Sequence, residues 1–424
     1  MDALTNEKLL TQADVEDAAD VLKDVVTHTP LQYDAYLSQK YNCNVYLKRE
    51  DLQVIRSFKL RGAYYAIQQT PKDVRAKGIV CASAGNHAQG VAWTCHKLDI
   101  PATIFMPTTT PKQKIDQVKF FGQEQTTIKL MGDTFDDAAK AAAEYCEAHQ
   151  MTFIAPFDDL RTMAGQGSAA VEIFADAKKD HLKVDYLFSA IGGGGLISGL
   201  SAYTKAVSPG TTVVGVEPSG AASMQAAFKV GHPVSLTALD KFVDGAAVKT
   251  VGELTYVNAH QFVDELMTVP EGHVCTTILD LYGKEAIVAE PAGALSVSAL
   301  DMYDGDLTGK TVVCVVSGGN NDIERMQEIK ERSLLYEGKQ LYFLVNFPQR
   351  SGALREFVNH VLQPNDDITR FEYTKKVNRG KGPVLIGVLL GNAENQPKLM
   401  ENLSNFDPNY LNLKDNASLY AMLV

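Results

Sequence analysis

Short apolar segments alternate with longer stretches of helical periodicity from about residue 8 to residue 325. Several apolar segments carry consecutive Val and Ile with little polar alternation, which is typical of strands buried on both faces. The predicted strands are Asn44–Lys48, Gly78–Cys81, Ala102–Met106, Thr126–Lys129, Phe153–Ala155, Tyr186–Ala190, Thr212–Val216 and Thr311–Ser317. Helical patterns such as Ala88–Lys97, Thr134–His149 and Ala164–Ala175 lie between them. This alternation predicts an α/β fold, with parallel sheets covered by helices on both faces and ligands at the carboxyl ends of the strands.

The pattern changes near residue 326. Residues 327–339 are charged and helical in character, and we interpret them as a linker between residues 1–326 and a smaller unit at residues 340–424. The elements predicted in this unit are strand Leu341–Phe347, helix Gly352–Leu362, strand Asp367–Lys375, turn Asn378–Gly382, strand Val384–Leu390, helix Gln396–Phe406 and further strand in the tail. The order β-α-β-β-α-β is the ferredoxin-like arrangement. The unit contains no candidate catalytic cluster, so a binding or assembly role is predicted.

The composition narrows the class of protein. The net charge of −11 disfavours nucleic acid as a partner, because phosphate backbones are bound by concentrated Lys and Arg. No stretch approaches the roughly 20 consecutive apolar residues that cross a bilayer, and the segment MDALTNEKLL has no basic region followed by an apolar run, so no secretion signal is expected. The cysteines have no C-x-x-C or zinc-like spacing, which favours buried thiols in a reducing cytoplasm. They are Cys43, Cys81, Cys95, Cys146, Cys275 and Cys314.

A run of four glycines, Gly192 to Gly195, follows a predicted strand in the string SAIGGGGLISG. Consecutive glycines allow backbone N–H groups to converge on an anion, and the positive end of the following helix strengthens that site. A phosphate cradle is the interpretation that we favour over a simple strand-to-helix turn. Glu217 lies about as far along as the ribose-binding acid of a dinucleotide site, so this motif alone leaves a nucleotide open.

Two further polar turns also follow predicted strands. In CASAGNHAQGVAW, residues 81–93, Ser83, Gly85, Asn86 and His87 cluster at the expected start of a helix. One such residue is explained as a helix N-cap, but the cluster would also suit an anion such as a substrate carboxylate. In VVSGGNND, Ser317 ends a buried strand. Taken alone, this third motif is more often a turn.

Lys59 lies in the helical stretch REDLQVIRSFKLRGAYYA. A lysine in such a stretch usually extends its amine to the surface along an apolar stem. If the amine is desolvated instead, its pKa falls and the neutral form can attack an aldehyde. The residue alone favours a surface position.

The order of these motifs resembles the fold-type II pyridoxal-phosphate enzymes, which share a tryptophan synthase β-like fold, and most closely the threonine dehydratases. The shared strings are KREDLQ, SFKLRGA, SAGNHAQGVA, GQGS, IGGGGLISG, GVEP, EPAGA and SGGN, within about residues 28–321. The resemblance implies a smaller subdomain, at about residues 45–155, nested within a larger one. The segment FPQRSGALREF, residues 347–357, resembles the ACT-like regulatory domain of the biosynthetic enzymes.

The resemblance implies a role for each motif residue. Lys59 would bond covalently to the pyridoxal 5'-phosphate aldehyde and remove the substrate α-proton, and Glu290 would lie near the cofactor. Glu217 corresponds to a cation-binding position in some relatives, but Ser223 replaces the second carboxylate, so no metal is expected. The other cofactor contacts would be Phe58 against the ring, Asn86 on the ring hydroxyl, Ser317 facing the ring nitrogen, and Gly192, Gly193, Gly194, Gly195 and Leu196 around the phosphate. The substrate would be held by Ser83, Ala84, Gly85, Asn86 and His87.

The expected activity is the dehydration and deamination of L-threonine to 2-oxobutanoate and ammonia, with L-serine as a poorer substrate. Similar serine racemases carry a serine at the position of Ala84, and a methyl group cannot transfer a proton, so Ala84 favours dehydration. Isoleucine, with valine as a further candidate, would bind the C-terminal unit, and the chain would form a homo-oligomer, a dimer or tetramer. The alternatives are a degradative serine/threonine dehydratase, a β-replacement enzyme and a non-catalytic amino-acid sensor. The charge of Arg56, just before the Ser-Phe-Lys core, has no assigned role.

Overall fold

A computed structural model describes residues 8–374 and 380–424 of the chain. The backbone divides into two compact units, Met1–Glu324 and Arg325–Val424. Among the described residues, none of the helices combines the length and the apolar character that a membrane span requires.

The first unit contains two sheets. The larger sheet has the strand order β1-β2-β10-β7-β8-β9, and the smaller one has the order β5-β4-β3-β6. All neighbouring strands are parallel except β1, which pairs antiparallel with β2. The strands are β1 (Leu31–Tyr33), β2 (Asn44–Arg49), β3 (Ile79–Ala82), β4 (Ala102–Met106), β5 (Thr126–Leu130), β6 (Thr152–Phe153), β7 (Tyr186–Ala190), β8 (Thr212–Pro218), β9 (Glu265–Val269) and β10 (Thr311–Val316).

Helices cover both sheets of this unit. The longest, Leu160–Lys179, packs against helices Lys59–Gln69 and Gly195–Val207 through small residues. A Cβ atom on Gly199 would lie 2.2 Å from the Met163 carbonyl oxygen, so the close approach of these helices requires glycine. The other helices are Gln12–Leu22, Ala35–Tyr41, Lys72–Arg75, Asn86–Leu98, Lys112–Gly122, Phe135–Ala148, Ser223–Val230, Glu253–Phe262, Glu271–Glu285 and Pro291–Ser298.

The second unit is a four-stranded antiparallel sheet with helices. Its strand order is β12-β13-β11-β14, and the elements along the chain follow the predicted β-α-β-β-α-β order. The strands are β11 (Gln340–Pro348), β12 (Asp367–Tyr373), β13 (Lys381–Leu389) and β14 (Leu411–Asn412), and the helices are Met326–Tyr336, Ala353–His360, Gln396–Phe406 and Ala417–Leu423.

The predicted strands of the first unit are present, with ends that differ by at most two residues from those observed. Strands β1 and β9 were not predicted, because they lie at the two edges of the larger sheet and bury few of their side chains. The strands of the smaller sheet lie within residues 79–153. Strand β2, at the start of the range of about 45–155 expected for a nested subdomain, pairs in the larger sheet.

The second unit differs from the prediction at its two ends. The segment interpreted as a linker contains helix Met326–Tyr336, which lies in the second unit, where the Tyr342 hydroxyl donates to Glu331 at 2.5 Å. The strand predicted in the tail is present but limited to Leu411–Asn412, and the helix Ala417–Leu423 that follows it was not predicted. Asn378 and Arg379, in the predicted turn Asn378–Gly382, lie outside the described residues.

Candidate active site

Lys59 is the first residue of its helix and lies beside the end of strand β10. The Phe58 N–H donates to the Ser317 carbonyl at 3.1 Å, and Ser57 forms an isolated β-bridge with Gly318. The sequence motifs SFKLRGA and SGGN, which are more than 250 residues apart, are therefore joined by backbone hydrogen bonds.

The amine of Lys59 is turned inward. Its Nζ donates to the Pro156 carbonyl at 2.7 Å and lies 5.3 Å from the centre of the Phe58 ring. Burial lowers the pKa of Lys59 to about 8, although the nearby Glu290 carboxylate acts in the opposite direction. An appreciable fraction of the amine is therefore neutral near pH 8, which is the form that can attack an aldehyde.

The four glycines form a tight loop between strand β7 and helix Gly195–Val207. Gly194 has φ +94°, which favours glycine, and a Cβ atom on Gly193 would lie 2.2 Å from the Phe157 ring. At the start of this helix, the Ser198 N–H donates to the Gly194 carbonyl at 3.0 Å. The preceding amides, up to Leu196, belong to the helix start, where N–H groups have no partner within the helix and attract anions.

One short segment connects the lysine with the glycine loop. Pro156 accepts the Lys59 bond, and the neighbouring Phe157 packs against Gly193. Asp158 accepts the N–H groups of Glu253, Leu254 and Thr255 and so holds the segment in place. Pro156 and Phe157 were not predicted as site residues, because nothing local in the string PFDD indicates proximity to residues 59 and 193.

Asn86 begins helix Asn86–Leu98 at the end of strand β3. Its Nδ2 donates to Glu290 at 2.6 Å, and its Oδ1 accepts from Asn320 at 2.7 Å. In the preceding loop, Ser83 Oγ accepts from the Gly85 N–H at 3.2 Å. Residues 83–86, which include Ala84, are partly exposed, so this loop is accessible to a ligand.

The side chain of His87 is buried, unlike those of residues 83–86. It is 2% exposed, and its Nε2 lies 3.0 Å from the Ile154 carbonyl. Burial, together with the positive charge of Lys59, lowers the pKa of His87 to about 3. The imidazole is therefore neutral, and the N–H of the helix start is the group of this residue that is available to a carboxylate.

Ser317 and Glu290 lie together at the carboxyl end of β10. Ser317 is 2% exposed, and its hydroxyl donates to the Ala292 carbonyl at 3.3 Å. Glu290 precedes helix Pro291–Ser298, and its N–H donates to the Gly318 carbonyl at 3.1 Å. Burial, and then the negative charge of Asp244, raise the pKa of Glu290 to about 7.

Glu217 has a structural task. Its two carboxylate oxygens accept the N–H groups of Met224 and Gln225 at 2.7 and 2.8 Å, in the first turn of helix Ser223–Val230. Within residues 8–374 and 380–424, no group of three or more His, Cys, Asp or Glu side chains is arranged to hold a metal ion. Both oxygens of Glu217 already accept hydrogen bonds from the first turn of helix Ser223–Val230.

Arg56 is accounted for by its backbone. It has φ +58°, and its carbonyl accepts from the Gly319 N–H at 2.9 Å, while its side chain is exposed. The residue shapes the turn before Lys59, and the structure gives its charge no partner to which a role can be assigned.

A buried cluster of charged side chains holds the Lys59 helix in place. Arg61 forms paired hydrogen bonds of 2.8 Å with both Glu50 and Glu172, and Lys48 donates to Glu172 at 2.5 Å. Although burial opposes ionisation of Glu50, the Arg61 charge lowers the pKa of that carboxyl. Two cations balance two carboxylates, and they tie the helix to β2 and to helix Leu160–Lys179. This cluster was missed, because charged residues are usually exposed.

The structure brings together a desolvated amine, a glycine loop at a helix start, a fixed amide and a buried hydroxyl, a set that suits a phosphorylated aldehyde. The family profile described as pyridoxal-phosphate dependent enzyme matches residues 22–318. The profile described as C-terminal regulatory domain of threonine dehydratase matches residues 331–423.

Individual relatives agree with both profiles. The chain is 56% identical over 416 residues to the biosynthetic L-threonine dehydratase IlvA of Lactococcus lactis, a match that covers 98% of this chain and 100% of that protein. It is 56% identical over 422 residues to the Staphylococcus aureus protein of the same name, over 99% and 100% of the two chains. The solved structure of processed threonine deaminase isoform 2 from Solanum lycopersicum is 36% identical, with a TM-score of 0.70 over 76% of this chain and 93% of that one. These matches confirm the predicted fold class.

Proposed function

Since this chain belongs to the biosynthetic L-threonine dehydratases, a family of pyridoxal-phosphate-dependent enzymes, we propose that it converts L-threonine to 2-oxobutanoate and ammonia. The observation that supports this most is the position of the Lys59 amine, half-buried, with a lowered pKa and joined through Pro156 and Phe157 to the glycine loop. When bound, pyridoxal phosphate withdraws electrons from the substrate α-carbon, which makes loss of its proton feasible.

The chain's own residues would hold this cofactor in a fixed orientation. The amides from Gly192 to Leu196 would bind the phosphate, and the Lys59 amine would hold the aldehyde carbon. Asn86 would donate to the ring hydroxyl, Ser317 would face the ring nitrogen, and Phe58 would pack beside the ring. A neutral hydroxyl near the ring nitrogen, instead of a carboxylate, suits elimination of the β-hydroxyl over prolonged charge delocalisation in the ring.

Lys59 would also act as the base. Its lowered pKa leaves a larger fraction of the amine unprotonated near neutral pH, and the unprotonated amine is the form that can accept the substrate α-proton. The accessible loop at residues 83–86 and the N–H of His87 would bind the substrate carboxylate. Ala84 offers no proton on the opposite face, which favours dehydration over racemisation.

L-Serine should be the poorer substrate. The methyl group that distinguishes threonine contributes roughly 1–3 kcal/mol in an apolar pocket, or about 10- to 200-fold in kcat/KM. Steady-state kinetics with both amino acids would test this preference, and equal kcat/KM values would contradict it.

The Lys59→Ala variant tests the activity and the cofactor link together. Wild-type protein should show a visible absorption band from lysine-bound cofactor and should release 2-oxobutanoate from threonine, whereas the variant should lose both. Lys205→Ala is a matched control, because Lys205 also donates to a backbone carbonyl, that of Thr211, at 2.7 Å. A variant at position 59 that keeps the band and the activity would contradict the proposal.

We also propose that isoleucine, with valine as a further candidate, binds the C-terminal regulatory unit and changes the activity of the first unit. The match of residues 331–423 to a regulatory domain supports regulation. The reaction would be the first committed step of isoleucine biosynthesis, and the end product of that pathway, isoleucine, is the expected effector. Threonine saturation curves with and without isoleucine, with alanine as the control ligand, would test this. Identical curves would contradict it.

The assembly and the compartment belong to the same proposal. We expect a homo-oligomer, dimer or tetramer, because a single C-terminal unit is small and pairing would enlarge its binding surface. We expect a cytoplasmic location, since all six cysteines are free and buried, which suits a reducing compartment. Light scattering of purified protein would measure the mass, and a monomer would contradict the first expectation.

A further inference from the structure

The Asn320 side chain is anchored on a group whose polarity is fixed. Its Nδ2 donates to the Ile55 carbonyl at 2.8 Å. A backbone carbonyl can only accept, so the amide of Asn320 must present its nitrogen on this side. The same nitrogen lies 2.7 Å from Asn86 Oδ1 and 3.2 Å from Gln89 Oε1.

This anchor determines how the Asn86 amide is turned. Because Asn320 donates, Asn86 must present its oxygen to Asn320, and its nitrogen then faces Glu290 Oε1 at 2.6 Å. A reversed Asn86 would place oxygen against a carboxylate and nitrogen against an N–H donor, so two hydrogen bonds would be lost together. A primary amide has two N–H donors, and one of them remains for a ligand.

We infer that Asn320 is a positioning residue, which acts through Asn86 and, with Glu290 at the other end, fixes the Asn86 N–H that faces the cofactor ring. The inference rests on the proposed function, in which Asn86 binds the ring hydroxyl. Asn320 is part of the motif SGGN, but nothing in the sequence gave it a task separate from the turn.

The arrangement also joins three parts of the site. Ile55 lies just before the Lys59 helix, Asn320 follows β10, and Asn86 begins the helix after β3. A hydrogen-bond chain across these segments fixes the Asn86 amide relative to the start of the Lys59 helix.

The test is a titration of cofactor-free full-length protein with pyridoxal phosphate, followed by absorbance, for wild type, Asn320→Ala and Asn320→Asp. Losing the donor should weaken cofactor binding about 10-fold in the Ala variant, as expected for one lost hydrogen bond with a buried partner. The Asp variant should bind at least as weakly, because its carboxylate preserves the volume but cannot donate to Ile55 or Asn86.

Asn258→Ala is the matched control for loss of a buried, hydrogen-bonded asparagine. Asn258 is fully buried, and its side chain bonds Leu10, Lys8 and Leu254. It should lower the melting temperature but leave the dissociation constant for the cofactor within about twofold of wild type.

Either of two results in the Asn320 variants would overturn the inference. Cofactor binding within twofold of wild type in both Asn320 variants would show that Asn86 needs no such anchor. Normal binding in Asn320→Asp together with weak binding in Asn320→Ala would show that position 320 only fills space. If neither variant folds, Glu290→Ala takes their place, and unchanged cofactor binding there would also overturn it. Failure of the proposed function looks different, because wild-type protein itself would then bind no cofactor at Lys59.

Discussion

The two compact units bury different kinds of side chain. The first unit buries charged groups such as Lys48, Glu50, Arg61 and Glu290, besides many hydroxyls and amides. In the described part of the second unit, the buried polar side chains are Ser333, Gln340 and Asp407, and the core is built from aromatic and aliphatic residues.

The kind of side chain that each unit buries corresponds to the task of that unit. Buried polar groups cost free energy unless each has a partner, so a domain keeps them where they hold or position reacting groups. In the first unit, the Arg61 cluster and the hydrogen bonds through Asn86 give the buried polar groups their partners. Both lie next to the segments around Lys59. The second unit, which matches a regulatory domain, has little such cost, because its core is small and apolar.

The strongest challenge to this comparison is Arg61→Met. Removing one cation leaves Lys48 opposite two buried carboxylates, and such a loss typically costs about 3–5 kcal/mol of the free energy of unfolding. Urea denaturation followed with cofactor bound would measure it. The control is Arg370→Met in the second unit, whose ion pair with Glu372 is partly exposed and should contribute less than about 1 kcal/mol. Equal effects of the two substitutions would contradict the comparison.

A substitution in the apolar core of the second unit should lower the stability of that unit without changing cofactor binding in the first. Phe347 is 1% exposed and packs against Phe357, Phe371 and Phe406, with ring centres 5.1 to 5.6 Å apart. Phe347→Ala should destabilise this unit by about 3–4 kcal/mol, because the rings can close the cavity only in part. The absorption band of bound cofactor should be unchanged while the response to isoleucine is lost. Loss of the band at the same urea concentration would indicate that the units do not unfold separately.

The sequence predicted the fold well where strands are buried and poorly where they are not. Strands β4 and β7 have the predicted bounds, because their apolar runs end at polar turns. Edge strand β9 mixes Glu265 and Thr268 with apolar residues and has no clear pattern. Strand β14 has two residues, which is too short for a pattern of apolar and polar positions to show where it ends. The whole tail was therefore predicted as strand, and the final helix was missed.

The candidate site could be predicted only in part. Lys59, the glycine run and the Asn86 turn each carry a local signal, and their place at strand ends follows from the parallel order. Pro156 and Asn320 have no such signal, because their importance lies in contacts with residues 97 and 234 positions away. A role for His87 was predicted from its residue type, but only the structure shows that its ring is buried, which lowers its pKa.

A smaller effect should come from the charge of Glu290. The pKa of this carboxyl is raised from 4.5 to about 7 by burial, so the folded protein holds more protons than the unfolded chain between these values. Stability of the cofactor-free protein should therefore fall as pH rises from about 4.5 to about 7, by roughly 2–3 kcal/mol. Glu290→Gln should remove this fall, so that the variant gains stability relative to wild type at pH 8 but not at pH 4.5. Parallel pH dependence in both proteins, measured by urea denaturation, would contradict the assignment.

The smallest expected effect concerns backbone strain near the site. Arg56 has φ +58° in the first unit, whereas the described non-glycine residue with positive φ in the second unit is Asn365, a type that tolerates this conformation. Arg56→Gly should relieve the strain and, after the entropy cost of glycine in the unfolded chain, stabilise the first unit by about 0.5 kcal/mol or less. Arg56→Ala keeps the positive φ and should leave stability unchanged, because the side chain is exposed. If Ala and Gly give the same change in urea denaturation, the effect belongs to the arginine side chain, and the turn before Lys59 is not strained.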